Sequence, residues 1–590
     1  MFCASPTILG GQELDDVLPV LEIEDGGERV TEDELLRLEQ LIHDPLDLNR
    51  VDRKELEDIP LLNSPDAALI IQTRNHRGGF HSVDEVREIP GISVLAARLL
   101  PLVTTVTPAT PIHITLRNRW ITYDGDARIL TQSEFEQANL SGGLTLERDP
   151  GERSLSAYVS GHVVARTGEK TTVIMGDHQA ITGYGLLFGP TTRPFKTPTG
   201  LTRFSRPGRG LRPHHSTREG WALRGVAVSR TQKANLWWVS LSSSPSETPP
   251  DVVDTQGEGT ETVAVLGWER TPQDRVHYGT LLAHDRWTAG DFHSPQRPSR
   301  SYGSIFGKVP LEEVDLFGEI AVHTGSSPAV IAGLVMVEKN VRWIATVRHY
   351  PMGFRGPRSQ PFREFSSESL NETGLYQALI IRQGNHRFLT QGDIYRHAHS
   401  PYSSGGKTHG FEAMATWTLH LKNKQLSFRW KGEERRVQEE VVFPGQNSPG
   451  PFRKKSWRLR GVLTPNRALR LQIQLDRTDL PGNGDPSPGY GLSTRVRYSQ
   501  PPWRLTWSWT GFQVGDSRSR IYIWDLNLPA ELRIKSFTGR GQSSGLVVGL
   551  TTAAGAVTSM RIRTTWKRSP PGGIWTKPQL EGAVQMDIAF

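Results

Sequence analysis

Three groups of side chains are of kinds that could do chemistry. Glu147, Asp149 and Glu152 lie close together, with Asp177 further along. Two carboxylates at a set separation across a sugar would serve glycoside hydrolysis, and oxygen ligands within one loop would suit Ca²⁺. No aromatic sugar platform reads out around them. Pairing with arginines is the simpler reading, because a carboxylate withdrawn from water needs a partner. His214 and His215 form the second group, with Arg206, Arg209, Arg212 and Arg218 around them. Neighbouring residues of a strand point to opposite faces, so two adjacent imidazoles do not make a chelate; this group reads as an anion-contacting loop. The third is a small basic cluster near the start, Arg50, Arg53, Lys54, Arg74 and Arg77. There is no phosphate-cradling GxxxxGK[ST] loop, no serine elbow and no His-Glu-x-x-His. The expectation is a protein that is not an enzyme and holds no metal or cofactor.

Charge is divided along the chain. The formal net charge is +7 from 69 basic and 62 acidic side chains, but residues 1–105 carry 9 Lys and Arg against 21 Asp and Glu, a net of −12, leaving +19 on residues 106–590. A body of that sign attracts anions such as nucleic acid, lipid phosphate or acidic polysaccharide. The single cysteine, Cys3, excludes a disulfide scaffold and any thiolate metal cluster. No run approaches the roughly 20 apolar residues of a membrane helix. A hydrophobic content of 36% still permits a membrane β-barrel, in which only alternate strand residues must be apolar. Met1–Gln12 has neither a basic start nor a full apolar stretch, so no signal peptide is read there.

The first hundred residues read as helical. Residues 1–30 are acidic and read as disordered. Thr31 with Glu34, Asp52 with Glu55, and Ser82 with Glu85 have capping-box spacing. Ser64 precedes a proline at the first helical position, and Ser93 can cap a last helix. The spacing predicts helices over 52–59, 64–77, 82–89 and 93–100, after a short one with Leu35, Leu38, Leu41 and Ile42 on one face. Residues 106–111 read as a linker.

Beyond the linker the hydrophobic period becomes two. Leu469, Leu471, Ile473 and Leu475 alternate with Arg470, Gln472, Gln474 and Asp476; Trp503, Leu505, Trp507 and Trp509 alternate with Arg504, Thr506, Ser508 and Thr510. Roughly 20–26 such runs follow one another between turn residues, within the strand-number range of membrane barrels. A soluble sandwich would bury the apolar face, whereas a membrane barrel turns it to lipid. Three features favour the barrel: runs of about 9–12 residues, Trp and Tyr at run ends (Trp120, Tyr123, Trp343, Tyr350, Trp457, Tyr498), and the last run. There Leu580, Gly582, Val584, Met586, Ile588 and Phe590 alternate with polar and small residues.

Three resemblances go with these patterns. Pro45-Leu46-Asp47-Leu48-Asn49, Leu56, Ile59-Pro60, Arg74, Gly78-Gly79-Phe80, Ser82, Ile89-Pro90-Gly91-Ile92 and Leu99-Leu100-Pro101 resemble the tandem helix-hairpin-helix module of ComEA-like DNA-binding proteins. That resemblance implies phosphate contact through backbone N–H groups at Gly91, Ile92 and Ser93, with the basic cluster assisting. The copy departs from the pattern: its first hairpin, Leu61-Leu62-Asn63, has no glycine, and residues 44–105 hold 7 basic against 10 acidic residues. The closing alternation with Val584, Met586, Ile588 and Phe590 resembles the C-terminal signal read by the barrel-insertion machinery. Finally, Met175-Gly176-Asp177-His178-Gln179, Gly183-Tyr184-Gly185-Leu186, Gly210-Leu211-Arg212-Pro213, Arg224-Gly225, Phe317-Gly318-Glu319, Arg348-His349-Tyr350 and Asn371-Glu372-Thr373-Gly374 resemble helix-hairpin-helix-plus-barrel proteins of Bacteroidetes and related Gram-negative bacteria.

The expected architecture is therefore mainly β. It has a helix-hairpin-helix domain at 31–105 and a large antiparallel transmembrane β-barrel over 112–590, in the outer membrane with the N-terminal domain periplasmic. The expected function is binding or passing a polyanion, plausibly DNA during uptake. The alternative is a membrane anchor whose acidic N-terminal domain docks a periplasmic protein partner.

Overall fold

The computed structural model describes residues 41–590 apart from 42–45, 50, 52, 60–61, 63, 78, 81, 107–111, 124–125, 138, 168–169, 192–195, 197–207, 209, 248–257, 271–275, 290–298, 339, 365–369, 399–406, 439–451, 467, 482–487, 525, 530, 532–533, 553–555, 569–576 and 590. The capping pair Thr31 with Glu34, and Asp52 of the second pair, lie outside the described residues.

The helical part follows its caps. Helices run Arg53–Asp58, Ser64–Arg77 and Val94–Val103, with a 3-10 helix at Val83–Glu88. Ser82 and Glu85 form the expected capping box, but the turn it starts is too short and tight to become an α-helix. Ser93 Oγ accepts from the Ala96 amide at 3.0 Å and starts the last helix. Leu48, Leu56, Ile59, Leu62, Ile70, Val86 and Leu99 close one shared core, which two residues at each end tie off as a parallel pair, Leu46–Asp47 with Thr104–Thr105.

The rest is one closed antiparallel barrel. It contains 25 strands, of which Gly210–Pro213 is a four-residue wedge between Thr171–Ile181 and Leu223–Gln232. Those two strands pair directly over the rest of their length, so 24 strands complete the circuit. The last strand, Gln579–Ala589, closes on the first, Ile112–Tyr123, with Val584 opposite Trp120, Met586 opposite Asn118 and Ile588 opposite Leu116. Phe590 lies outside the described residues.

Two unlike ends follow from the connections. Tight turns such as Gln232–Asn235, Leu311–Val314, Gln383–His386 and Leu421–Lys424 gather at one end, together with the start of the first strand and the end of the last. Most long connections (247–258, 289–300, 397–407, 438–452, 514–539) lie at the other. That is the short-turn, long-loop division of outer-membrane barrels.

Side-chain direction settles the choice between sandwich and barrel. The apolar members of each alternation face outward: Ile305 is 70% exposed and Ile562 58%. Their polar neighbours face in. Ser559, Arg561, Arg563 and Thr565 are buried behind Met560 and Ile562. Among the described residues no second sheet covers the outer face, and the closed circuit leaves no edge.

Candidate functional site

The lumen is not uniform, and its two sides are built by different residue types. On the side formed by strands from Leu223 to Leu421, the inward residues include a large apolar cluster. Val263, Val265, Leu281, Phe306, Phe317, Ile344, Phe354 and Leu389 of the wall share a core with Tyr184, Leu186, Leu187 and Phe188 of a segment folded in from the long-loop end, and with Phe362 of a second. Glu319 fastens the first segment by accepting from the amides of Tyr184 at 2.6 Å and Leu186 at 3.2 Å. Gly183 sits at φ +53 where a Cβ would stand 2.6 Å from the Glu319 carboxylate, so only glycine fits that close approach. The Tyr184 ring packs tilted against Phe317, with centroids 5.0 Å apart.

A charged node joins both inserted segments to the wall. Arg348 donates to Asp393 at 2.9 and 3.0 Å and pairs with Glu372. His397 Nε2 lies 2.8 Å from Glu372, and the Glu364 amide donates to Glu372 at 3.0 Å. Lys196 enters from the first segment, 2.7 Å from Asp393 and paired with Glu364. Burial alone would push the Lys196 pKa down, but Glu412, Glu364 and Asp393 outweigh it and hold the ammonium well above its ordinary value.

The opposite side of the lumen is walled by arginine. Over the four consecutive strands Phe452–Leu463, Leu469–Asp479, Gly489–Gln500 and Trp503–Val514, the inward positions present Lys454, Arg458, Arg460, Arg470, Arg495, Arg497 and Arg504 against one carboxylate, Asp476. Arg470 stands directly opposite Arg497, and Arg458 directly opposite Arg429 of the preceding strand. Like charges in register disfavour a sheet, and Arg429, Arg458, Arg460, Arg470, Arg495, Arg497 and Arg504 all take part in interactions within the fold. Asp476 takes Arg458 at 2.7 Å, and Arg460 donates to Gln472 at 3.1 Å. Part of the cationic surface is used within the fold. A hairpin inserted between 514 and 539 gives its carbonyl oxygens to the wall: Tyr522 to Arg458 at 2.7 Å, Pro529 to Arg119 at 2.7 Å and Leu526 to Arg561 at 2.9 Å. Arg460, Arg470, Arg497 and Arg504 lie within three residues of the short-turn ends of their strands, so the densest charge lines that mouth.

The residues singled out from the sequence fall elsewhere. Glu147 and Asp149 both take Arg128, and the Glu152 carboxylate caps the Asp149 amide at 2.6 Å; the cluster is joinery between strands, as the arginine-pairing reading expects. Asp177 takes Arg224 at 2.6 Å. Arg206 and Arg209 lie outside the described residues. The remainder of that loop is folded into the lumen and is not gathered into one exposed patch. His214 is buried, and burial pushes its imidazole down to about 4, which makes it a neutral group at pH 7. His215 lies 3.0 Å from Glu134. Arg218 stacks on Trp221 at 3.9 Å and donates to the Thr191 carbonyl, while Arg212 lies on the wedge strand.

In the helical part, Arg50 and the side chains of Arg53, Lys54 and Arg77 lie outside what is described. Arg74 is spent internally, donating to the carbonyls of Leu48 at 3.2 Å and Val51 at 2.6 Å. Gly91 takes the left-handed conformation, φ +86. The amides that were to meet a phosphate are occupied: Ile92 donates to Ile89 at 3.2 Å and Ser93 to Asp66 at 2.8 Å. Asp66 also accepts from Ser93 Oγ at 2.5 Å, so a fixed carboxylate stands at the second hairpin. Asp66→Ala is expected to leave the buried Ser93 groups without their acceptor and to loosen this unit by about 1–3 kcal/mol; hydrogen exchange at the amides of 94–103 in the full chain should accelerate. Unchanged protection would show that the pair is dispensable.

The arginine wall was only partly visible beforehand. A lumen lined by Arg and Lys follows from the alternation, but which arginines stand in register depends on pairing between strands.

A closed 24-strand antiparallel barrel with an apolar outside and a filled, charged inside is an architecture of the outer-membrane type. No protein-family model matches the chain, and no curated protein matches it. Among solved structures it is similar to the siderophore receptor PirA of Pseudomonas aeruginosa (10% identity, 83% of this chain and 82% of that chain, TM-score 0.40). It is similar also to the copper transporter OprC (8%, 83% and 83%, 0.42) and to the FrpB iron transporter of Neisseria meningitidis (8%, 82% and 82%, 0.36). Likeness at this level carries no argument about cargo.

Proposed function

We propose that this chain is an outer-membrane barrel that binds or passes a polyanion along the arginine-walled side of its lumen, DNA being one such polymer. The register that sets Arg470 against Arg497, on two strands bearing one inward carboxylate, carries this reading. Guanidinium groups take phosphate or carboxylate oxygens in pairs, and contacts to a charged backbone need no sequence choice. The outward apolar belt supports the membrane location, and the alternation over Val584, Met586 and Ile588 supports recognition by the barrel-insertion machinery. By this orientation the short-turn mouth and the helical part are periplasmic.

The test uses the full chain purified in detergent, with polyphosphate and single-stranded DNA as probes and salt raised stepwise. Retention should fall steeply between about 50 and 200 mM salt, and the Arg470→Gln/Arg497→Gln double variant should retain on the order of tenfold less. Retention indifferent to salt and to both substitutions would overturn the proposal.

A second reading concerns the helical part. Its second hairpin presents Asp66 where a phosphate would sit, and its sequence is acidic. That favours docking of a periplasmic protein partner over DNA contact by this unit, with the barrel as its anchor. Capture of a defined partner by the full chain that is lost on charge reversal of Asp84 and Glu88 would support it.

A further inference from the structure

The outer wall carries a second cationic feature unrelated to the lumen. Pairing between strands sets Trp457, Arg477, Tyr490, Gln513, Arg540 and Arg568 in one transverse row across six strands. All six alternate in phase with the outward apolar residues, and Arg477 and Tyr490 are exposed. The row runs close to the long-loop ends of these strands.

The next outward row, two residues nearer the middle of the barrel, is of a different kind. It reads Leu459, Leu475, Leu492, Gly511, Gln542 and Trp566, again in direct register. Gly511 leaves a depression in it, over which the Trp509 ring lies: a Cβ there would meet that ring at 2.8 Å. Together the rows border a groove of about 660 Å³ on the outside of the barrel.

The two rows make the groove amphipathic in a fixed direction. Arg540 faces Arg568 directly, a like-charge pairing that disfavours the sheet but suits an anion held between two guanidinium forks. Arg477 is paired with Asp479 at 3.0 Å and lies 5.8 Å from the centre of the Tyr490 ring. Lys455, opposite Asp479, adds a further cation on the same face. Below this rim the surface is leucine and tryptophan.

We propose that this groove is a binding site for a phosphorylated membrane lipid of the leaflet nearest the long loops. Its phosphates would lie on Arg540, Arg568 and Arg477, and its acyl chains on the leucine row and the Trp509 ring that covers Gly511. A soluble anion would use the arginines and leave the apolar floor unexplained; a neutral lipid would do the opposite. The site rests on the membrane orientation proposed above, since only then does the outer wall meet lipid headgroups at this height.

Native mass spectrometry of the full chain tests it, with diphosphoryl lipid A as the probe, monophosphoryl lipid A and phosphatidylcholine as comparisons, and inorganic phosphate as free competitor. The expected order of retention is diphosphoryl, then monophosphoryl, then phosphatidylcholine. Arg540→Gln/Arg568→Gln should lower diphosphoryl lipid retention about tenfold, and Gly511→Leu should lower it while leaving the charges in place. Equal retention by the double variant, equal retention of phosphatidylcholine, or displacement by millimolar phosphate would each overturn the site. A heat-modifiability gel on every variant separates the two proposals. A barrel that folds and enters vesicles but shows no preference for phosphorylated lipid rejects the groove and keeps the membrane reading; a chain that needs no lipid or detergent rejects both.

Discussion

Arg348→Ala is expected to leave the chain unable to reach its compact, heat-modifiable form, or to lower its resistance to denaturant by about 3–5 kcal/mol. The side chain is fully buried and holds two carboxylates at once, Asp393 by a forked pair of 2.9 and 3.0 Å bonds and Glu372 through its Nε. Removing it strands both acids where water does not reach. Lys196 would still reach Asp393 and His397 would still reach Glu372, but neither has the planar fork that Arg348 offers. A carbon added at Gly374 would stand 2.5 Å from the guanidinium, so Gly374→Ala should push Arg348 aside and give a milder version of the same defect. The informative control is Arg348→Met with Glu372→Gln and Asp393→Asn, which removes the charges together with the arginine. It should recover much of the loss, because an apolar or neutral replacement of a whole buried ion group is often tolerated. Urea or guanidinium titrations followed by gel mobility measure all three. An Arg348→Ala barrel as stable as the parent would mean that this node does not fasten the inserted segments.

What the sequence revealed, and what it hid, divides by distance along the chain. Strand alternation is local, so Leu469–Asp476 and Trp503–Thr510 declare both their period and their apolar face within eight residues each. The caps at Ser82 and Ser93 are local as well, and the helices they predict appear within one to three residues of the expected bounds. The short glycine- and aromatic-containing motifs were legible as motifs but not as parts of one device. Gly183-Tyr184-Gly185-Leu186 meets Phe317-Gly318-Glu319 across 135 residues, Arg348 meets Glu372 and Asp393 from two other strands, and Tyr350 donates to the Phe362 carbonyl. Each is half of a contact between an inserted segment and the wall, or between neighbouring wall strands. A single sequence cannot announce which half belongs to which. For the same reason the His214–His215 loop read as an accessible basic patch: its composition is basic, but its direction, into the lumen, is set by Asp177 and Glu134, which lie on other strands.

Everything proposed here depends on which face of the sheet meets lipid, and one pair of substitutions tests that directly. Ile562→Arg places a guanidinium at the middle of the strand Val557–Arg568, on the outward face, where the isoleucine is 58% exposed. On the surface of a soluble protein such an exchange would be close to neutral, within about half a kcal/mol. At the midplane of a bilayer it should cost about 2–4 kcal/mol. Leu311→Arg is the matched case at a rim. Leu311 is 50% exposed, also outward, and is the last residue of its strand, beside the tight turn to Val314, so the cost there should fall to about 0–1 kcal/mol. Both sites are outward aliphatic residues of wall strands, one at mid-strand and one at a strand end. Folding into lipid vesicles, read as the denaturant midpoint of the heat-modifiable band, should show a large loss for Ile562→Arg and a small one for Leu311→Arg. Equal and negligible losses would mean that the outer face is bathed in water. The arginine wall would then line the interior of a soluble shell, and the lipid groove would have no leaflet to face.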